Sequence, residues 1–446
     1  MTASRDRFPA FSSMPEALAW LDSHTDLESA MPVRPSIPSL DRMRELAHLL
    51  GSPEQSYPSV HLTGTNGKGS TAMMVTSLLR TLGMKVGTYT SPNLSVINER
   101  LSIDSRPIDD LSFLDLMNVL AIAQASMVEP ASRFELLTGA ALRWFSDEAV
   151  DAGVIEVGLG GTWDSTNVVD GRVAVLTNIS YDHTDVLGPT LEGIVRDKSG
   201  IIKAGCTAVI GESAPALVGI AEEAASRVGA AAFWVRGRDF DCTENRVAVG
   251  GRLVDLRTPG GFYADVLVPL HGRHQGLNAL CALTAVEAFV GAPLPPNVVT
   301  EAFAAVRVPG RLEVLGRHPL CIVDGAHNVA GMQALSVAID EEFSAAGTKI
   351  AVVGMLSGRD PLAMLEPLKD AGIDLVVACA PRSPRALSPL VIEEAARALK
   401  MRVSSQATVT AAMSAARNEL GDDGMLLATG SLYVVAAARE LLQVPV

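Results

Sequence analysis

The sequence predicts an α/β protein in two domains, the first built on a mostly parallel sheet, and three observations carry this reading. Apolar mass comes from Ala, Val and Leu, with 48% hydrophobic residues but only 4% aromatic ones, a mixture that suits helices packed on parallel strands. Short β-branched runs alternate with longer amphipathic segments, the pattern of successive strand-helix-strand units. The length, 446 residues, allows two or three cores, and the stretch Val306-Arg307-Val308-Pro309-Gly310 reads as a linker between them.

The opening MTASRDRFPAFSSMPEALAW has no apolar core ahead of a cleavage site, so no export signal is expected, and Ser13-Met14-Pro15-Glu16 reads as a capping box that starts a helix. Strands are expected at 60–63, 85–89, 152–157, 173–177 and 208–210. From 242 to 270 the character changes. Gly250-Gly251 and Gly260-Gly261 separate short alternating segments, which read as antiparallel hairpins elaborating one edge. A helical stretch at 275–290 and a Pro-rich one at 291–297 lead to the linker. Beyond it, strands at 320–324, 349–354, 375–380 and 425–429, with helices such as 332–343 and 389–399, make a second α/β unit. The domains are therefore set at 1–307 and 308–446.

Composition excludes several classes. Gly and Pro show no triplet period, and five cysteines far apart, with no C-x-x-C pair, favour reduced, buried thiols over a disulfide scaffold or a zinc site. The apolar run 425–438 is too short to span a bilayer and is broken by Gly430 and Ser431. With 36 Lys and Arg against 50 Asp and Glu, the net charge is −14. A field of that sign repels polyanions, so nucleic acid and acidic membranes are poor partners. An anionic substrate would need a local device. A cytoplasmic monomer is expected.

That device is visible in VHLTGTNGKGSTAMMV. An apolar strand ends at Thr63, the loop Gly64-Thr65-Asn66-Gly67-Lys68-Gly69-Ser70 follows, and a helical pattern starts near Lys68. Glycines let backbone N–H groups turn toward phosphate oxygens, and Lys68 supplies a compact charge. The loop departs from strict G-x-x-x-x-G-K-[ST], because Gly69 stands where the metal-binding hydroxyl belongs and Ser70 and Thr71 follow it. A plain glycine-rich turn with an exposed lysine is the weaker rival, because the loop follows a strand and opens a helix. A dinucleotide fingerprint at Gly158-Leu159-Gly160 fails at Trp163. Glu156 ends an almost wholly apolar strand, where a carboxylate needs a strong partner.

Other motifs follow in order: Tyr89-Thr90-Ser91-Pro92, Asn98-Glu99-Arg100, Phe134-Glu135-Leu136-Leu137-Thr138, Glu156 to Gly161 with Asp164, and Asp182-His183-Thr184. Later stand Lys198 to Lys203, Gly272-Arg273-His274-Gln275 with Asn278, Pro309-Gly310-Arg311, Asp324-Gly325-Ala326-His327-Asn328 and Thr429-Gly430-Ser431-Leu432-Tyr433. Loop and motifs together resemble the folylpolyglutamate synthase and dihydrofolate synthase family of the Mur ligase superfamily. Mur enzymes proper usually carry Thr or Ser at the position of Gly69. Departures from the family's common pattern are Thr162-Trp163, Tyr181 and Arg359.

The resemblance implies an N-terminal P-loop ATPase-like domain and a C-terminal Rossmann-like glutamate-ligase domain. It implies ATP as co-substrate, held by residues 64–70, Asn278, Arg311 and Asp324. One or two Mg²⁺ ions are implied, with Ser91 and Glu156 on the first and Glu156, His183 and Lys198 on the second, Lys198 being carbamylated. Lys68, Lys198, His183, Asp324 and His327 would be catalytic, and Phe134, Glu135 and Thr138 would line a folate site. The implied reaction phosphorylates the carboxylate of dihydropteroate or a reduced folate. The amine of L-glutamate then attacks the acyl phosphate, in a cleft that excludes water. A muramyl-peptide ligase, a P-loop ATPase driving partner assembly and a dehydrogenase are the alternatives. Singly, each residue has a structural rival: a core ion pair for Glu156, a turn capped by Asp182 for His183, a solvated helix face for Lys198, a Glu313 pair for Arg311, a helix-start hydrogen bond for Asn278, and a core helix for 134–138.

Overall fold

Strand β1 (Ser59–Thr63) is buried at every position, as befits a strand covered on both faces. The computed structural model describes residues 11–26 and 39–442; the first ten residues, on which half of the export-signal reading rests, lie outside these. The sheet around β1 adds β2 (Val86–Tyr89), β3 (Leu101–Ile103), β4 (Arg106–Pro107), β5 (Ala152–Glu156), β6 (Val173–Leu176), β7 (Thr207–Ile210) and β8 (Ala232–Val235), in the order β4-β3-β2-β5-β1-β6-β7-β8. All pairings from β2 to β8 are parallel, and β3 and β4 join antiparallel. Leu62 lies beside Glu156 and Thr63 beside Leu176. The carboxyl ends of three adjacent strands therefore share one edge, where open α/β sheets bind ligands.

One sheet face packs Leu46, Phe113, Leu136 and Phe145, and a second core gathers Leu176, Ile194, Ile210 and Ala221. The helix Met14–Asp22 starts where its capping motif predicts, but Ser13 makes no side-chain cap. One N–H that a cap could reach belongs to Pro15, which has none. Glu16 instead accepts from the Ser12 backbone at 2.9 Å and the Ser12 hydroxyl at 3.0 Å.

The 242–270 stretch forms a three-stranded antiparallel sheet of β9 (Asp241–Ala248), β10 (Gly251–Arg257) and β11 (Phe262–Val268), ordered β11-β10-β9. The second large sheet has β12 (Glu313–Arg317), β13 (Leu320–Val323), β14 (Lys349–Val353), β15 (Leu375–Ala378), β16 (Arg402–Ser405) and β17 (Met425–Thr429), ordered β12-β13-β17-β14-β15-β16. It is parallel except for β12. Its core includes Ile322, Met332, Ala351, Val376 and Leu427. Two compact units result. The first takes the chain up to Cys242 with Leu256–Tyr263 and Asn278–Ala305, and the second takes Thr243–Asp255, Ala264–Leu277 and everything from Val306.

All five cysteines are free, with Cys242 half-buried where a buried thiol was expected and the other four buried. No helix among the described residues is long and apolar enough to cross a membrane.

Candidate active site

The phosphate loop leaves β1 at Thr63 and is shaped by the segment that follows β6. Thr65 N–H donates to Asn178 O at 3.0 Å and its hydroxyl to Ser180 O at 3.1 Å, while Asn66 N–H donates to Asn178 Oδ1 at 3.0 Å. Thr177 Oγ1 and Asn178 Nδ2 donate to Asn66 O at 2.7 and 2.8 Å. With its own carbonyls engaged, the loop is held open before any ligand arrives, which reduces the reorganisation cost of binding. Gly64 and Gly67 have φ of 151° and 83°; a Cβ at the first would strike Thr177 Oγ1 and at the second Asn278 Oδ1. Both positions require glycine.

The left-handed Gly67 opens the helix Lys68–Thr81. Its first N–H groups face the loop, the arrangement that favours phosphate. Lys68 is half-buried, and its Nζ donates to Gly64 O at 3.1 Å and Thr65 O at 3.4 Å. Ser70 is buried. At Gly69 a Cβ would stand 3.4 Å from Glu156 Oε2. The position that carries a hydroxyl in the strict motif thus faces a carboxylate here.

Glu156, at the end of β5, is 4% exposed and accepts from Ser91 N–H at 3.2 Å. The register explains the meeting, since Tyr89 of β2 pairs with Ile155 and carries the chain past Glu156. Among the described residues no group of three or more His, Cys, Asp and Glu gathers as a metal cage.

Lys198 ends the helix Leu191–Lys198 and is buried, at 3% exposure, so the solvated-face alternative does not hold. Its Nζ donates to Gly64 O at 2.9 Å, the carbonyl that Lys68 also uses. Burial and then the Lys68 charge push its pKa down to about 7, against the pull of Asp197, Asp182 and Asp164. The unfolded chain therefore holds an extra proton between about 7 and the ordinary 10.5 of a lysine. This group's contribution to stability rises with pH through that window and is flat below it. Denaturation midpoints at pH 6 and pH 9 test this: Lys198→Met should remove a difference of roughly 2–3 kcal/mol between the two pH values. An unchanged difference would refute the shift.

His183 has a left-handed backbone, φ 48°, and its N–H donates to Asp182 Oδ1 at 2.8 Å, so the expected turn contact exists. For a non-glycine residue that conformation stores strain, a common feature of functional loops. Phe134 covers Gly158, where a Cβ would lie 2.5 Å from the ring. Glu135 closes a capping box with Ser132 and pairs with Arg42 at 3.3 Å, and Thr138 Oγ1 donates to Tyr89 OH at 3.3 Å. Those two side chains therefore serve the helix and its core.

In the second unit, Arg311 does not take the Glu313 pairing it could have had. Glu313 instead accepts from Arg439 and from Gly310 N–H. The Arg311 guanidinium lies against Gly325, with Nη1 2.6 Å from where a Cβ would be. Asp324, just past β13, accepts from Leu312 N–H and Ala326 N–H, both at 2.8 Å. His327 Nδ1 lies 2.8 Å from Gly325 O. Sequence reasoning missed Thr177, Asn178 and Ser180, signalled only by polar residues crowding the end of an apolar strand. It also missed Asp197, whose carboxyl is raised by burial beside Lys198.

A glycine-rich loop of the phosphate-binding kind on a parallel sheet, two lysines on one of its carbonyls and a buried glutamate beside it, followed by a second α/β unit, are an arrangement that suits an ATP-dependent ligase, the class to which comparison with known proteins assigns the chain. The Mur ligase middle domain family matches residues 62–286, and the Mur ligase, glutamate ligase domain family matches 310–432. The dihydrofolate synthase/folylpolyglutamate synthase of Mycobacterium tuberculosis is 38% identical over 443 residues, covering 91% of this chain and 90% of that protein. Among solved structures, Mycobacterium tuberculosis folylpolyglutamate synthase complexed with ADP and AMPPCP superposes with a TM-score of 0.89 at 36% identity, covering 98% and 100% of the two chains. E. coli FolC in complex with DHPP and ADP gives 0.85 at 28%, covering 97% and 98%. The chain belongs to the dihydrofolate synthase/folylpolyglutamate synthase family.

Proposed function

We propose that this chain joins L-glutamate to dihydropteroate, to reduced folates, or to both, at the expense of ATP. The observation that carries the reading is the meeting of the phosphate loop, Glu156 and Lys198 at the carboxyl edge of one sheet. Relatives bearing the dihydrofolate synthase and folylpolyglutamate synthase names supply the substrates. A carboxylate is a poor electrophile. Attack of its oxygen on the γ-phosphorus releases ADP and gives an acyl phosphate; the α-amino group of glutamate then attacks the acyl carbon, the C–O bond breaks and phosphate leaves.

Residues 64–70 would hold the nucleotide phosphates, with Lys68 opposing their charge as transfer proceeds. Asn278, buried beside Gly67, would contact the adenosine side, and Arg311, Asp324 and His327 would serve the nucleotide and the transferring phosphate. Phe134 would offer its ring to the folate, with Glu135 and Thr138 fixing the helix that carries it. The Ser91 hydroxyl and the Glu156 carboxylate fit a Mg²⁺ ion, because an ion on nucleotide phosphates takes one or two carboxylates and completes its shell with phosphate and water oxygens. Bound there, it would neutralise charge on the transferring group. A second ion would draw on Glu156, His183 and Lys198, the last as a carbamate. A lysine pKa near 7 supplies the neutral amine that carbamylation requires.

Purified protein with ATP, Mg²⁺ and L-glutamate should be offered dihydropteroate, tetrahydrofolate and a UDP-muramyl peptide in turn. Glutamate-dependent ADP release and a product heavier by one glutamyl residue are expected with one or both of the first two. Turnover with the muramyl peptide alone, or ADP release indifferent to glutamate, would overturn the reading.

A further inference from the structure

The Gly272-Arg273-His274-Gln275 motif has no role in the reaction as described, yet it is held by a buried charge cluster in the second unit. Arg252 of β10 is 1% exposed. Its Nη1 lies 3.1 Å from Glu341 Oε2 and 3.0 Å from Glu342 Oε1, and its Nε and Nη2 donate to the side-chain and main-chain oxygens of Asn245, both at 2.8 Å. Glu342, at the end of the helix Val329–Phe343, grips the motif: Gly272 N–H donates to Oε1 at 2.8 Å and His271 Nδ1 lies 2.7 Å from Oε2. Burial opposes ionisation there, yet the bonds from His271 and Gly272 hold the carboxyl below its ordinary range. Asn245 Nδ2 adds a bond to Arg273 O at 2.9 Å.

The other side of this strap presses on Leu312. A Cβ at Gly272 would lie 2.8 Å from His274 Nδ1 and 3.0 Å from Leu312 Cδ1. Leu312 is buried with φ 43°, a conformation costly for a bulky side chain that persists only when its surroundings hold it. Its N–H is fixed by Asp324, and Arg311 precedes it. The His274 ring, lowered in pKa by burial, lies within electrostatic reach of both Asp324 and Arg311.

We infer that Arg252 and Glu342 are positioning residues for the Arg311-Leu312-Asp324 corner, acting through the strap 271–275. The inference rests on the reading of Arg311 and Asp324 as nucleotide contacts. Its test is calorimetric affinity for AMPPCP with Mg²⁺, using the full chain. Glu342→Gln should weaken binding about tenfold, and on an Arg311→Lys background the same change should cost less than about twofold, because both act through one corner. Arg252→Lys, which keeps the charge and loses the planar fork, should behave alike with a smaller loss. It carries the comparison if Glu342→Gln does not fold. Equal losses on both backgrounds, or a lower thermal midpoint with unchanged affinity, would overturn the inference. A wild-type chain that binds AMPPCP but makes no glutamyl product would instead refute the proposed function and leave this test readable.

Discussion

Lys68→Ala is expected to lower glutamate-dependent ADP release by roughly a thousandfold or more, with the thermal midpoint nearly unchanged. The asymmetry follows from where Lys68 sits. It is the first residue of its helix, whose start is set by the left-handed Gly67 rather than by the lysine, and alanine is the better helix former. Among the described residues its Nζ donates to the loop's own carbonyls, Gly64 O and Thr65 O. Water can replace those bonds in part, since the side chain is half-exposed. Nothing would replace the charge proposed to meet the phosphates. Lys68→Arg should not restore activity, because a planar fork does not fit where a compact ammonium turns back onto Gly64. The substitution also removes a neighbouring cation from Lys198, so the Lys198 proton should be held more tightly in Lys68→Ala than in the wild type. Turnover within tenfold of wild type would refute the assignment of the loop.

Much of this architecture is legible from periodicity. The central strands are buried on both faces and read as apolar runs, so β1, β5, β6, β14 and β17 are placed to within a residue or two. Edge strands are not legible. β3 and β4 are three and two residues long, β12 contains Gly316 between charged ends, and β16 is Arg-Val-Ser-Ser, so none shows an apolar signature. Within the site, Lys68 and Glu156 announce themselves because each breaks a local pattern, a charge in a glycine loop or at the end of an apolar strand. Lys198 shows no such break. Its helix has a polar composition that suits a solvated face, and only the tertiary fold buries its ammonium against Gly64 O. Glu135 shows the converse: its motif fits both a folate contact and a core helix, and in the fold its carboxylate accepts from the cap and faces Arg42. Arg252, unlike Lys198, lies in no motif, and its partners Glu341 and Glu342 are about ninety residues away.

Glu156→Gln should be as damaging as loss of Lys68, and through a different observable. Glutamine keeps the volume and can still accept from Ser91 N–H, so β5 and the sheet around it should persist. What changes is the face toward Gly69. Oε2, the oxygen that accepts from Ser91 N–H, lies 3.4 Å from the position of a Cβ there and Oε1 3.7 Å, and an amide puts a neutral oxygen and an N–H in their places. Neither suits a hard cation on phosphate oxygens, which selects anionic oxygen donors. Wild-type affinity for AMPPCP should therefore rise when Mg²⁺ is added, the variant's should not, and ADP release should fall by at least about a thousandfold. Glu156→Asp separates charge from reach: it keeps the anion but draws it back by one methylene from both Ser91 and Gly69, so an intermediate loss with partial Mg²⁺ response is expected. Glutamine and wild type responding alike to Mg²⁺ would remove Glu156 from the metal site and return it to the role of a buried group satisfied by Ser91. The −14 balance makes this outcome decisive: in a chain whose overall field repels anions, nucleotide, folate and glutamate must be held by local charge, and Glu156 can be tolerated beside phosphates only with a cation between them.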